Sequence, residues 1–243
     1  MMQATDHPLN DASADLGVLG TGRMGVRLAA MFARAGGTVV LGSRSRARAE
    51  EIAQALGISG LVAGTYDDAA GAKCVLPAIF IRDGLFDILD ENAAAINGKL
   101  LIDISNPFNE DYIDFITPWD SSGAEELQKH VPHARVVGAF KNVFWQVFDA
   151  PLFKGMASDV LVAGDDDGAK LEFMALSAGT PFRYLDAGPL INARTIERLT
   201  LITGRLGRQL DAYPRINSRL LGSAWREGQD QQGIDRITAR PGA

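Results

Sequence analysis

Short, nearly continuous apolar runs alternate with stretches of helical periodicity along most of the chain. The first run, about 15–20, is followed by Val26, Leu28, Ala29, Met31, Phe32 and Ala33 at helical spacing, which predicts a helix over about 23–35 closed by Gly36-Gly37. The same order recurs. Strands are predicted at about 38–41, 61–63, 74–79, 100–104 and 135–140, with helices at about 46–56, 65–69, 81–95 and 122–130 between them. Runs such as Thr38-Val39-Val40-Leu41 and Leu100-Leu101-Ile102 do not alternate apolar with polar, as expected of strands buried on both faces of a parallel sheet. The pattern therefore predicts an α/β protein with a Rossmann-type, doubly wound, mostly parallel sheet. Past Val147 come a strand near 159–164, a helix near 167–178, a strand near 181–186 and a long helix near 190–212, read as a small C-terminal extension of the same domain. On the last helix Ile191, Ile196, Leu199, Ile202, Leu206 and Leu210 form a face wide enough for a core or a dimer interface. Residues 1–13 read as a disordered leader and 213–243 as a polar tail around the folded span 14–212.

The first strand runs into Gly20-Thr21-Gly22-Arg23-Met24-Gly25 and then directly into a helix. This is the order a dinucleotide requires. Gly20 permits the turn, Gly22 lets the backbone approach a pyrophosphate, and Gly25 lets the helix pack closely on its strand. The unpaired N–H groups at the helix start stabilise an anion without a charged side chain.

The residues after the second strand choose between the two nicotinamide cofactors. An acid there would bind ribose hydroxyls and repel a 2′-phosphate. This chain has Gly42-Ser43-Arg44-Ser45-Arg46-Ala47-Arg48 instead, with Ser43, Arg44 and Arg48 suited to a phosphate. NADP(H) is the expected cofactor. Other strand exits reach the same edge of the sheet: Leu76, Pro77 and Ala78, then Ser105, Asn106 and Pro107, then Ala139. All join the expected cofactor-binding set. The Asn-Pro pair is equally compatible with a plain turn. Lys141, just beyond the sixth strand, is the candidate catalytic group, either a proton donor or oxyanion stabiliser, or a solvated lysine at a loop start. Residues 108–121, with Phe108, Tyr112, Phe115 and Trp119, read as a substrate lid or a long surface loop.

Charge and composition narrow the partners. A net charge of −6 disfavours nucleic acid and anionic membrane, and no stretch is long and apolar enough to span a membrane. The single cysteine, Cys74, excludes an internal disulfide, reads as an inert core residue and fits a cytoplasmic location. No cluster has metal-ligand spacing; Asp165-Asp166-Asp167 reads as a helix start, and His130 and His133 fall at the end of the sheet opposite the expected cleft.

Several segments together resemble one family. They are the glycine turn, Gly42-Ser43-Arg44, Asp103-Ile104-Ser105-Asn106-Pro107, Ser122-Gly123-Ala124-Glu125-Glu126-Leu127, Val136-Val137-Gly138-Ala139-Phe140, and Asp186-Ala187-Gly188-Pro189-Leu190 with Asn192-Ala193-Arg194. Over about 14–212 the chain resembles the coenzyme F-420 (8-hydroxy-5-deazaflavin):NADP oxidoreductases, and it shares a pattern with the cytosolic reductase domains of six-transmembrane metalloreductases. The resemblance implies NADPH at the glycine turn, Ser43 and Arg44 on its 2′-phosphate, a homodimer, and a second ring, coenzyme F-420 or a flavin, stacked on the nicotinamide. Hydride would then pass directly between rings, with orientation carrying most of the catalysis. Two departures fall where that second ring would sit: Lys141 replaces the metalloreductase Asn, and Leu76-Pro77-Ala78-Ile79 replaces an apolar-Ala-Val-Pro order.

Three functions follow. The first is an NADPH:deazaflavin or flavin oxidoreductase, with Phe144, Trp145 and Pro77 as slot walls. The second is an NADPH-dependent reductase of a small carbonyl or imine, needing Lys141 as proton donor. The third is a non-catalytic NADP(H) sensor.

Overall fold

A computed structural model describes residues 13–222. Six strands form one parallel sheet: β1 (Leu16–Leu19), β2 (Val39–Gly42), β3 (Leu61–Gly64), β4 (Cys74–Pro77), β5 (Leu100–Asp103) and β6 (Arg135–Gly138). Their order is β3-β2-β1-β4-β5-β6. β1 is therefore central, with Leu16 paired to Val39 on one side and to Cys74 on the other. The chain reverses its direction of travel across the sheet between β3 and β4. This opens a crevice at the carboxyl ends of β1 and β4, where such sheets bind nucleotides.

Helices cover both faces: α1 (Arg23–Arg34), α2 (Arg46–Leu56), α3 (Tyr66–Ala70), α4 (Leu85–Glu91), α5 (Ala93–Ile96) and α6 (Gly123–His130). α1 buries Leu28, Ala29, Met31 and Phe32 against β1 and β2, in one apolar cluster with Leu41, Leu76 and Ile102. Leu85, Leu89, Ile96 and Leu127 fill a second cluster on the other face.

The expected helix over 81–95 is interrupted. A 3-10 turn at Ile81–Asp83 ends at Gly84, whose φ of +88° breaks the helix, and Asn92 separates α4 from α5 with its side chain bonded back to the Ile88 carbonyl (2.9 Å). Apolar spacing alone does not register these interruptions.

The extension begins with a small hairpin that periodicity missed, β7 (Leu152–Phe153) and β8 (Met156–Ala157). Then come β9 (Asp159–Val162), α7 (Asp167–Leu176), β10 (Arg183–Asp186) and α8 (Ala193–Gln209). β9 and β10 are parallel to each other, and a single antiparallel bridge, Gly138 to Ala163, ties the pair to the edge at β6. α8 buries Ala193, Ile196, Glu197, Thr200, Gly204 and Gly207. Of the predicted apolar face only Ile196 is buried; Ile191, Ile202, Leu206 and Leu210 are exposed. Small and polar residues pack inward because α8 approaches its neighbours closely: a Cβ on Gly204 would lie 3.2 Å from Phe144.

Residues 213–222, the start of the stretch read as a tail, lie against the domain. Tyr213 packs edge-on to Phe144 and Trp145, and the Leu220 N–H donates to Asp159 (2.7 Å). Residues 1–12 of the expected leader and 223–243 of the tail lie outside the described residues. No helix of the described residues is long and apolar enough to cross a membrane.

Candidate active site

The glycine turn stands at the crevice. Gly20 has φ +117°, a conformation that favours glycine, and its N–H donates to the Gly42 carbonyl of the next strand (3.0 Å). A Cβ on Gly25 would lie 2.0 Å from the Gly20 carbonyl oxygen and 3.1 Å from the Ala78 Cβ, so α1 can sit this close only on glycine. A Cβ on Gly22 would meet no atom within 4 Å. The space over Gly22 is thus open while that beside Gly25 is closed. α1 has no side-chain cap on its first N–H groups and no acid in its first turn. An open glycine cradle facing uncapped helical N–H groups fits the pyrophosphate of a dinucleotide.

At the end of β2 the three arginines separate. Arg46 pairs with Asp68, and Arg48 pairs with Glu51 (3.1 Å). Arg44 pairs with no carboxylate among the described residues and lies beside the Tyr66 hydroxyl. Ser43 is buried, and its Oγ accepts from the Ser45 N–H (3.2 Å). Arg44 is therefore the unneutralised cation at the position a 2′-phosphate would occupy. The free cation and the absence of an acid there fit NADP(H).

Beyond β5 the chain turns inward. The Ser105 N–H and hydroxyl both donate to Asp103 Oδ1 (2.9 and 2.8 Å), so this hydroxyl faces the protein interior. Asn106 Nδ2 donates to the Lys141 carbonyl (2.8 Å), and its Oδ1 is buried without a partner. Asn106 lines a cavity of about 140 Å³ walled by Met24, Phe80, Phe108, Phe140, Phe144 and Trp145. Met24 comes from the glycine turn, so the cavity continues the line of the nucleotide crevice. The predicted walls Phe144 and Trp145 are in place, and Arg23 lies over the Trp145 ring at 5.1 Å. Pro77 closes the end of β4, buried, and does not line the cavity. Within the aromatic loop Phe108 and Tyr112 reach the cavity, whereas Ile113, Ile116 and Trp119 are exposed.

Lys141 does not line this cavity. Its side chain is 1% exposed. The ammonium lies 2.6 Å from Asp103 Oδ2 and 2.8 Å from Glu197 Oε1 and donates to the Ser105 carbonyl. Two carboxylates and a carbonyl thus surround the ammonium. Burial alone would lower its pKa, but the two carboxylates outweigh burial and raise it, so the amine stays charged. Burial and the nearby Asp103 charge push the Glu197 carboxyl up. Glu197 also accepts from the Gly123 and Ala124 N–H groups at the start of α6 (3.0 and 3.2 Å). Phe140 makes this arrangement possible. Its φ of +55° costs a non-glycine residue about 1 kcal/mol or more, but it drives the ring into a cage of Phe32, Phe148, Phe173, Phe182 and Tyr184 and Lys141 toward Asp103.

The other candidates are structural. Cys74 is buried and its thiol is pushed up to about 12, mainly by burial and then by Glu172. His130 stacks on Phe86 and meets Asp90 at 2.8 Å, and the His133 carbonyl accepts from Gly98 ahead of β5. Asp166 caps α7 and Asp165 accepts from the Leu190 N–H. No group of three or more potential metal ligands occurs among the described residues.

Residues 15–107 match the family model described as NADP oxidoreductase, coenzyme F420-dependent. The F420-dependent NADP reductase of Methanothermobacter thermautotrophicus is 30% identical over 195 residues, covering 74% of this chain and 83% of that protein. The chain belongs to this F420-dependent NADP oxidoreductase family. It is accordingly an NADP-dependent oxidoreductase. Metalloreductase STEAP3 of Rattus norvegicus is 28% identical over 189 residues, 76% of this chain but 36% of that longer protein. A crystal structure from Arthrobacter sp. FB24, provisionally described as an F420-dependent NADP-reductase, has 25% identity and a TM-score of 0.74, covering 86% of this chain and all of the other. The predicted family relationship and the Rossmann-type fold are both borne out.

Within this NADP oxidoreductase the sheet order brings Gly20, Gly25 and Ala78 into contact, and Asn106 against the Lys141 backbone. Leu76 and Ala139 are buried behind this edge. Arg48, on α2, pairs with Glu51 at the surface of that helix. Sequence reasoning missed Asp103, Glu197 and Thr200. Their signal was available: each is a polar residue at a position that strand or helix geometry buries.

Proposed function

We propose that this chain transfers a hydride between NADP(H) and a flat, conjugated acceptor of the deazaflavin or flavin type. The pyrophosphate would lie over Gly22 at the start of α1, with Thr21, Arg23 and Met24 around it. The 2′-phosphate would meet Ser43 and Arg44, and the nicotinamide would reach Asn106. The bound cofactor supplies or receives the hydride; the chain's residues bind, orient and exclude water.

The observation that carries this reading is the character of the cavity. Nearly half of its lining residues are aromatic and most of the rest are apolar; among the described residues Arg208 is the one charged side chain that lines it, with no carboxylate, histidine or lysine. Ring-to-ring hydride transfer requires orientation between stacked planes and no proton donor at the reacting carbon. Lys141, the candidate donor for carbonyl reduction, is buried between two carboxylates and a carbonyl and does not line the cavity. We assign it a positioning role: its side chain holds β5, β6 and α8 together, and its carbonyl holds Asn106 and Thr200.

A homodimer formed through the exposed stripe of Ile202 and Leu206 on α8 with Leu210 just past its end, and a cytoplasmic location, belong to the same proposal.

Mixing the purified protein with NADPH and oxidised coenzyme F-420, and following both chromophores, tests it. Stoichiometric loss of both absorbances is expected. NADPH binding with no change in either absorbance would reject the deazaflavin and move the search to flavins, then to small carbonyls and imines. Tyr112 and Tyr213, which line the cavity, would then be the hydroxyls to mutate.

A further inference from the structure

The Asn106 side chain is orientated by a single bond. Its Nδ2 donates to the Lys141 carbonyl at 2.8 Å, and a carbonyl can only accept, so the amide cannot be flipped without placing two acceptors in contact. The same carbonyl also takes the Thr200 hydroxyl, so the Thr200 hydrogen is committed as well. Oδ1 is then the side-chain acceptor of Asn106 left for a ligand, while Nδ2 keeps its second N–H. The residue is 8% exposed, and Oδ1 has no partner. A buried acceptor without a donor costs free energy. The apolar residues lining the cavity beside it, Met24, Ile104, Phe140 and Val143, carry no side-chain donor.

We infer that Asn106 Oδ1 accepts a hydrogen bond from the carboxamide NH₂ of the nicotinamide ring, and that it thereby selects the carboxamide and sets the rotation of the ring. This rests on the NADP(H) reading above. A dinucleotide that starts at the glycine turn and follows the carboxyl edge of the sheet passes Met24 and reaches the cavity that Met24 and Asn106 share. The planar aromatic walls accept a ring, and the carboxamide brings the N–H that Oδ1 lacks. Asn106 is in this sense a binding and orienting residue: it fixes the ring plane without joining the chemistry.

The test is calorimetric binding of three ligands to wild type and to Asn106→Leu. The ligands are NADP⁺, its 3-acetylpyridine analogue, and 2′-phospho-ADP-ribose. The analogue replaces the carboxamide by a methyl ketone and so keeps the carbonyl but loses the NH₂. The third ligand has no pyridine ring. Wild type is expected to bind NADP⁺ about tenfold more tightly than the analogue, the discrimination of one hydrogen bond to a buried acceptor. In Asn106→Leu the gap should fall below about twofold, with 2′-phospho-ADP-ribose bound as in wild type. Equal affinity of wild type for the two pyridine ligands would overturn the inference, as would a full gap retained in the variant. The wild-type comparison needs no variant, so a folding defect in Asn106→Leu does not shield the idea. Failure of wild type to bind even 2′-phospho-ADP-ribose would instead reject the NADP(H) site itself and the inference with it.

Discussion

The Lys141 ammonium and the Glu197 carboxylate lie 2.8 Å apart, with neither side chain open to water. Glu197 stands on α8, which also supplies Thr200, Leu201, Gly204 and Arg208 to the cavity. Lys141 follows β6, and its second carboxylate, Asp103, ends β5. One buried cation therefore joins the three elements that shape the proposed acceptor end of the site. Lys141→Met would leave two buried carboxylates without their cation. Removing one partner of a buried ion pair costs about 3–5 kcal/mol, and a loss of that size is expected in urea unfolding. Combining Lys141→Met with Glu197→Gln should recover part of it. A variant that kept its stability yet lost all turnover would instead put the ammonium in the chemistry.

The two later glycines of the turn make opposite predictions. A methyl on Gly22 projects into open space, so Gly22→Ala should keep its thermal midpoint and lose NADP(H) affinity. A methyl on Gly25 overlaps the Gly20 carbonyl, so Gly25→Ala should lose stability and distort the turn. Thermal unfolding with and without NADP⁺ separates the two. Unchanged NADP⁺ affinity in a folded Gly22→Ala would place the pyrophosphate elsewhere.

The proposed 2′-phosphate contact gives Arg44 the choice between cofactors. Its neighbours Arg46 and Arg48 already have carboxylate partners, and Arg44 does not. A charge-assisted bond is worth about 1.5–3 kcal/mol, so Arg44→Ala should weaken NADPH about tenfold or more while NADH affinity scarcely moves. Fluorescence titration with both cofactors measures the ratio. An equal loss for both would mean that Arg44 acts on the fold.

How much of this was legible depends on whether the determinants are local. The glycine turn, the acid-free end of β2 and the order of strands lie within single stretches, and reading them in sequence placed the crevice. The buried ion cluster is different. Asp103 ends an apolar strand and Glu197 sits inside a helical face beside Ile196, so the pattern marks each as a buried charge but does not name its partner. Only the closed fold shows that both meet Lys141. Of the face on α8 read as a core or a dimer interface, Ile202 and Leu206 stay outside the core of the domain, because close packing placed Gly204 and Gly207 inward instead.

Acid should release the C-terminal strap. Asp159 is buried and accepts two bonds from Arg183 (2.6 and 2.7 Å) and one from the Leu220 N–H. Burial alone would raise its pKa, but these bonds outweigh it and hold the carboxyl below its ordinary 3.8. A depressed acid contributes stability that is complete above the unfolded pKa and lost as pH falls through the folded one. Asp159→Asn should therefore be less stable than wild type at neutral pH, and the gap should narrow only below about pH 3.8. Urea midpoints measured from pH 7 to the acid limit of folding check this. A gap independent of pH would mean that the loss comes from packing.

Arg82 tests whether the aromatic loop belongs to the acceptor end alone. Its guanidinium donates to the Phe108 and Asn109 carbonyls and lies over the Phe80 and Tyr112 rings at 4.9 and 4.5 Å. Phe80, Phe108 and Tyr112 all line the cavity, and Tyr112 is held at φ +58°. One cation thus fixes three walls. Arg198 holds the far end of the same loop through the Pro118 and Ser121 carbonyls and over Trp119, outside the cavity. Arg82→Ala removes two charge-assisted hydrogen bonds to carbonyls and both ring contacts, about 4 kcal/mol or more of local order if such terms add. It should raise the KM for the acceptor by tenfold or more and leave the NADPH Kd unchanged, because the phosphate end is built by β1, β2 and α1. Arg198→Ala should move the acceptor KM far less. Steady-state kinetics with saturating NADPH, alongside direct NADPH titration, reads both. Equal effects of the two substitutions would show that the loop acts as one rigid unit, and a changed NADPH Kd in Arg82→Ala would show that the loop also holds the cofactor.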